Sequence, residues 1–307
     1  MSRRRHLLEI LLGAAVLLVA AALLFFSGTW GTSTKTAAEK SSSQSAPPSA
    51  TPASETPAGP GTPPKAEAAA HSPGKAADTS PVIPAEAPSP FRVGEKLTYR
   101  ILWSTFSVKA GNVQLAVLER RALYGRDAWH FQASAHTIDT MRLLFALDDQ
   151  FDSYSAAAGL VGLQYEMYLR EQGKHQDAVY RLAPEGEPAP PAGSAVRVPH
   201  GTRDPFGLLY YLRAHDWQRS REFRSPVFDG RKLYEVTARL QQESGEVSVP
   251  AGTFSACRIE IHVFERGAEV PQTHFWAWLA RDARRTPVLL EAELPFGVAR
   301  VELVRGE

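Results

Sequence analysis

Nine histidines, a single cysteine and two clusters of carboxylates are the side chains of this 307-residue chain that could carry chemistry. His130 and His136 fall on one face of an alternating run, but six residues at about 3.3 Å each part them by roughly 20 Å, too far to share an ion. His262 and His274 lie on separate runs that a hairpin could bring together, with no carboxylate placed beside them. Asp148, Asp149 and Asp152 surround Phe151. Glu291 and Glu293 share a strand face at about 6.6–7 Å; a glycosidase pair can have that spacing, although its members stand on opposed sides of a sugar. Cys257 alternates with Ile259, Ile261 and Val263, the pattern of a small buried hydrophobe. A reactive thiol needs exposure and positive neighbours, and Arg258 should point the other way. One cysteine also excludes an internal disulfide and a cysteine-built zinc site. There is no G-x-S-x-G, H-E-x-x-H, phosphate loop or G-x-G-x-x-G, which removes the commonest hydrolase, metalloprotease and nucleotide readings. No metal and no cofactor is expected.

Aromatic residues offer a different kind of site. Trp103, Trp129, Phe131, Tyr165, Met167, Trp276 and Trp278 sit on strand-like runs and either line a concave apolar pocket or fill an ordinary core. The turn Asp282-Ala-Arg284-Arg285-Thr-Pro287 follows the Trp276/Trp278 run. Two arginines beside an aromatic surface suit an anionic headgroup or a glycan phosphate. In the plainer account Asp282 starts a turn, Pro287 restricts it, and the arginines pair with Glu291 or Glu293. The candidate ligand-binding set is therefore Trp103, Trp129, Trp276, Trp278, Arg284 and Arg285.

These side chains must be positioned by strands. Leu97, Tyr99, Ile101 and Trp103 alternate, and Val113, Leu115 and Val117 repeat the pattern after Ala110-Gly111, which reads as the turn of a first hairpin. Further runs are Trp129–Ala135, Leu163–Leu169, Ala178–Leu182, Phe223–Phe228, Leu233–Leu240, Glu246–Val249, Cys257–Phe264, His274–Leu279, Val288–Leu294 and Val298–Val304. Asp229-Gly230 and Pro250-Ala251-Gly252 supply turn chemistry. One segment reads as a helix, near 204–216: Asp204-Pro205 gives an N-cap and an N1 proline, and Phe206, Leu209, Tyr210 and Arg213 follow at helical spacing. A second short helix is expected over Thr140–Ala146. The fold class is mainly β, an antiparallel curved sheet closing towards a barrel or half-barrel.

Three arginines precede an almost wholly apolar run from Leu7 to Phe26, about 30 Å as a helix. That arrangement predicts residues 1–6 in the cytoplasm, a transmembrane anchor over 7–26 and everything after it exported. The run is longer than a cleaved signal's apolar region and leads into Ser27-Gly28-Thr29-Trp30, a poor cleavage site. Residues 27–90 hold 12 of the 23 prolines and almost nothing to bury, so they read as a disordered tether. Residues 91–307 form one periplasmic β domain. A net charge of +1 argues against nucleic acid as a partner.

The ordered motifs Phe91-x-Val-Gly94-Glu95-x-Leu97-x-Tyr99 followed by Ala110-Gly111, Asp204 leading into Leu208-Leu209-Tyr210-Tyr211-Leu212-Arg213, Val249-Pro250-Ala251-Gly252-Thr253-Phe254, and Trp276-x-Trp278-Leu279-x-x-Asp282-x-Arg284-Arg285-x-Pro287-Val288 resemble the bacterial exported domain-of-unknown-function family 3108. The resemblance implies a periplasmic, mostly antiparallel β domain from a Gram-negative source, and assigns no activity and no catalytic residue. The functional expectation is a non-catalytic module at the inner membrane that binds a lipid, glycolipid or other envelope amphiphile. Alternatives are a scaffold contacting an envelope protein or the cell wall, and an enzyme acting on envelope glycans through Asp149, Glu291 or Glu293.

Overall fold

The computed structural model describes residues 89–103, 108–143, 146–190, 195–271, 274–294 and 297–307. The anchor expected over 7–26, and the tether over 27–90 except its last two residues, lie outside that set. Among the described residues no helix is long and apolar enough to cross a membrane.

Alternation produces fourteen strands: β1 (Lys96–Trp103), β2 (Val108–Leu123), β3 (Arg126–Thr137), β4 (Asp148–Ala156), β5 (Gly162–Glu171), β6 (Lys174–Pro184), β7 (Ala195–Val198), β8 (Glu222–Phe228), β9 (Leu233–Val249), β10 (Gly252–Glu265), β11 (Ala268–Glu269), β12 (His274–Ala280), β13 (Pro287–Leu294) and β14 (Gly297–Gly306). Among the described residues two helices interrupt them, α1 (Asp139–Arg142) and α2 (Pro205–Ala214). Leu97, Tyr99, Ile101 and Trp103 of β1 are buried, with less buried residues between them. One sheet contains every strand, in the order β7-β6-β5-β4-β3-β2-β1-β14-β13-β12-β10-β9-β8, with β11 attached to β10. All pairings are antiparallel except β6 with β7.

The two ends of the sheet are nearly joined. After β7 the chain runs between β5 and the edge strand β8: Gly162 N–H of β5 donates to Thr202 O, while Arg203 pairs with β8 through Arg203 N to Pro226 O and Phe228 N to Arg203 O. The result is a nearly closed, barrel-like sheet, with α2 following directly from this strap.

Four details depart from the sequence reading. Ala110-Gly111 is not a turn but lies inside β2. A Cβ on Gly111 would come within 2.6 Å of the His136 carbonyl oxygen, so glycine there permits β3 to approach. The runs at 233–240 and 246–249 are one strand, β9, whose polar middle carries irregular pairing. The second helix is a single turn at Asp139–Arg142 rather than 140–146. Strand β4 went unread because its inward positions include Asp149, Ser153 and Ser155, which hide the apolar alternation.

Asp204 caps α2 as expected: its carboxylate accepts from Phe206 N at 3.0 Å and Gly207 N at 2.9 Å, and Pro205 stands at N1. The helix is buried on nearly every side, as a core helix must be if it packs inside a curled sheet. Phe206 packs against Phe151 and Tyr165, and Tyr210 stacks on Phe131 with ring centroids 3.7 Å apart.

At its last turn Arg213 meets Glu95 in a buried two-pronged ion pair, Nη1 to Oε1 at 2.6 Å and Nη2 to Oε2 at 3.0 Å. Nη2 also donates to Pro90 O and Arg284 O, and the rings of Phe91 and Tyr210 flank the guanidinium. Arg285 answers from the β12–β13 turn, donating to Arg213 O and His215 O at the end of the helix. Tyr99 O–H donates to Pro287 O. The node therefore ties the lead-in to β1, the end of α2 and the β12–β13 turn together. Glu95→Ala is expected to lower the unfolding free energy by about 3–5 kcal/mol, read from urea midpoints, because it strands a buried cation. The double change Glu95→Leu with Arg213→Met should cost less than that; an equal or larger loss would assign the stabilisation to the arginine's carbonyl contacts instead.

Candidate functional site

The pairing between β9 and β10 is irregular at one place. Ala256 faces Gly245, Arg258 faces Gln242 and Ile259 faces Leu240, so β9 has two residues where β10 has Cys257, and one more where β10 has none. Bulges of this kind bend a strand and re-aim its side chains. Here they leave a groove of about 430 Å³, lined by Trp217, Leu240, Cys257, Leu279 and Ala280 together with Arg221, Glu243, Arg281, Asp282 and Arg285. Its volume falls in the range of about 300–1,000 Å³ usual for small-ligand sites. Trp217, Leu240, Leu279 and Ala280 also belong to the main core, so the groove is where that core reaches the surface.

The charged lining is mostly committed. Arg221 pairs with Glu243. Asp282 accepts from the backbone N–H groups of Arg284 and Arg285, fixing the turn. Arg285 serves the carbonyls at the end of α2. Arg281 has an exposed side chain with no carboxylate in ion-pair range among the described residues. Burial pushes the Cys257 thiol up, which disfavours thiolate chemistry. Trp217 is held by a bond from Nε1 to Leu212 O at 2.9 Å and by edge contact with His215.

The six ligand-binding candidates occupy four different places. Trp103 lies in the main core, and Trp129 in a second cluster with Phe91, Phe131 and Tyr210. Trp276 and Trp278 stand on the opposite face of β12 from the core residues Phe275, Ala277 and Leu279. Arg258 from β10 lies 4.9 Å from each of their ring centroids, and His274 stacks beyond Trp276. Arg284 contributes its carbonyl to Arg213, and only Arg285 borders the groove. Sequence reasoning missed Trp217, Leu240 and Arg281. A lone tryptophan in the polar stretch His215–Ser220 was the available signal; the Arg221–Glu243 pairing has none, because a bulge sets it.

The other candidates are also separated. Glu291 and Glu293 lie on the outward positions of β13, where Glu291 faces Arg300. Asp149 is buried on β4, and β3, β2, β1 and β14 stand between the two strands. His130 Nε2 bonds Asp152 at 2.7 Å on the outward face, with Gln132 and Gln150 on the same carboxylate and Tyr154 stacked on the ring. Burial opposes ionisation of Asp152, but those three hydrogen bonds outweigh it and hold the carboxyl below its usual range. His262 pairs with Glu269. Among the described residues no group of three His, Cys, Asp or Glu is arranged to hold a metal ion.

The family described as protein of unknown function (DUF3108) matches residues 98–304. The chain belongs to that family. No curated protein matches the sequence. The DUF3108 domain is similar to a solved β-barrel-like protein of domain of unknown function DUF1849 from Brucella abortus, at 9% identity and TM-score 0.43 over 69% of this chain and 96% of that one. It is also similar to a candidate lipoprotein from Parabacteroides distasonis, at 10% identity and TM-score 0.35 over 70% of this chain and 96% of that one.

Two carboxyls inside the DUF3108 domain are pushed up towards neutral pH. Burial pushes Asp149 up to about 7, against the single hydrogen bond it receives from Arg170 N. Burial likewise pushes Asp204 up to about 6, although the cap N–H groups and Ser153 pull the other way. Both values are raised over the unfolded chain's, so their contribution to stability is complete below about pH 4 and is lost as pH rises through about 6 and 7. The urea midpoint is therefore expected to fall between pH 5 and pH 8. Asp149→Asn should flatten that fall and stabilise the domain at pH 8; a variant with an unchanged pH profile would show that Asp149 is solvated.

Proposed function

We propose that this chain is a non-catalytic binding module of the bacterial envelope, anchored in the inner membrane by residues 7–26 and holding an amphiphile in the groove beside Cys257. The observation that carries the reading is the composition of that groove: core hydrophobes surface there beside arginine side chains. An apolar floor next to fixed charge is what a molecule with a tail and a polar head requires. The buried tryptophans and α2 occupy the interior of the curled sheet, which argues for a ligand at this end rather than in the centre. A binding role fits better than catalysis because the ionisable groups around the groove other than Arg281 are engaged in structural bonds and the thiol is disfavoured as a nucleophile. The envelope assignment rests on the three arginines ahead of the apolar run and on the proline-rich stretch after it.

The test is native mass spectrometry of residues 89–307, exported to the periplasm and purified without detergent. The expected spectrum contains an additional mass that fragments as a lipid or glycolipid. Alkylating Cys257, the only thiol, with a bulky maleimide should expel it by filling the groove. A folded domain that is always empty, in cells and after incubation with envelope lipids, would refute the reading.

A further inference from the structure

We infer that the groove selects an amphiphile with an anionic headgroup, a phosphate or carboxylate, and that Arg281 is the residue that reads it; this rests on the amphiphile reading above. Three arginines border the groove, but they are not equivalent. The Arg221 guanidinium already faces Glu243, and Arg285 donates to the carbonyls that end α2. Arg281 alone of the three has a guanidinium that, among the described residues, neither pairs with a carboxylate nor donates to a carbonyl, while its backbone is fixed by Arg281 N to Ser255 O at 2.9 Å. Next to it Ala280 N donates to Thr286 O at 2.8 Å, so the residue leaves β12 in a defined direction. The carboxylates that could repel an anion are Glu243 and Asp282; the first is neutralised by Arg221 and the second accepts two backbone N–H groups. What remains at the mouth is net positive charge, with Arg281 as the guanidinium open to a ligand, beside Trp217, Leu240 and Leu279. A guanidinium binds phosphate and carboxylate through paired N–H donors. Apolar contact supplies the rest, so neither the head nor the tail alone should suffice.

Cys257 reports occupancy directly, since it lines the groove and is the chain's only thiol. The experiment measures maleimide labelling of Cys257 in the full-length protein, held in phosphatidylcholine nanodiscs, with octyl phosphate, octyl glucoside or inorganic phosphate added below micellar concentrations. Octyl phosphate is expected to slow labelling while the other two do not. In Arg281→Gln its half-protecting concentration should rise about tenfold, the loss of a charge-assisted hydrogen bond, each rate being taken relative to that variant's own unliganded rate because the Arg281 charge also favours the Cys257 thiolate. Equal protection by octyl glucoside would overturn the headgroup inference and leave the amphiphile reading standing. Protection by inorganic phosphate alone would make the groove a plain anion site and overturn both. Protection by none of the three would likewise refute both, and full protection persisting in Arg281→Gln would remove Arg281 from the site.

Discussion

The Glu95–Arg213 ion pair decides where the one substantial helix of this domain can lie. A buried guanidinium without a carboxylate is too costly to keep, so the end of α2 must come to the residue just ahead of β1 and to no other place. Arg213 also takes the carbonyls of Pro90 and Arg284, and Arg285 takes those that end the helix. The strand pairings alone leave the inside of the curled sheet undefined. This set of bonds specifies which face of α2 meets β3 and β4, and it holds the β12–β13 turn against the helix. Because that turn also borders the groove, the geometry of the groove depends on an ion pair that does not line it.

At its other end the helix depends on polar groups brought inside. Asp204, Ser153 and Ser155 are buried, and Gly207 has no Cβ because one would meet Ser155 Oγ at 2.8 Å. Each end of α2 is thus fixed by hydrogen bonds that are satisfied only in one register, while the apolar residues between them tolerate several. Hydrophobic burial supplies the drive to curl the sheet, and the polar contacts select one arrangement of its contents.

Much of this was legible in the sequence. Period-two alternation located most strands, and Asp204-Pro205 located the helix to its first residue. Three of the four resemblance motifs are pieces of one node: Phe91, Glu95 and Tyr99 from the first, Tyr210 and Arg213 from the second, Arg284, Arg285 and Pro287 from the last. What could not be read was their convergence, since Glu95 and Arg213 stand 118 residues apart and no local rule pairs them. Inward serines and an aspartate hide strand β4, and Ala110-Gly111 reads as a turn because close approach between strands leaves the same mark as a tight bend. The groove was invisible for a further reason. It comes from a mismatch in residue count between β9 and β10, which exists only once the two are paired. Trp276 and Trp278 were recognisable as unusual, but the arginine between them comes from a neighbouring strand.

The pairing of β1 with β14 places Arg100 against Glu302, 202 positions further along the chain. The strand formed first is completed by the strand formed last. During synthesis β1 therefore presents an open edge until nearly the whole domain has emerged, and such edges recruit other chains. Contacts of this span make folding slow, because the long loop must be closed before any of them forms. The late arrival of β14 makes the period before closure the time at which this protein is most exposed to aggregation.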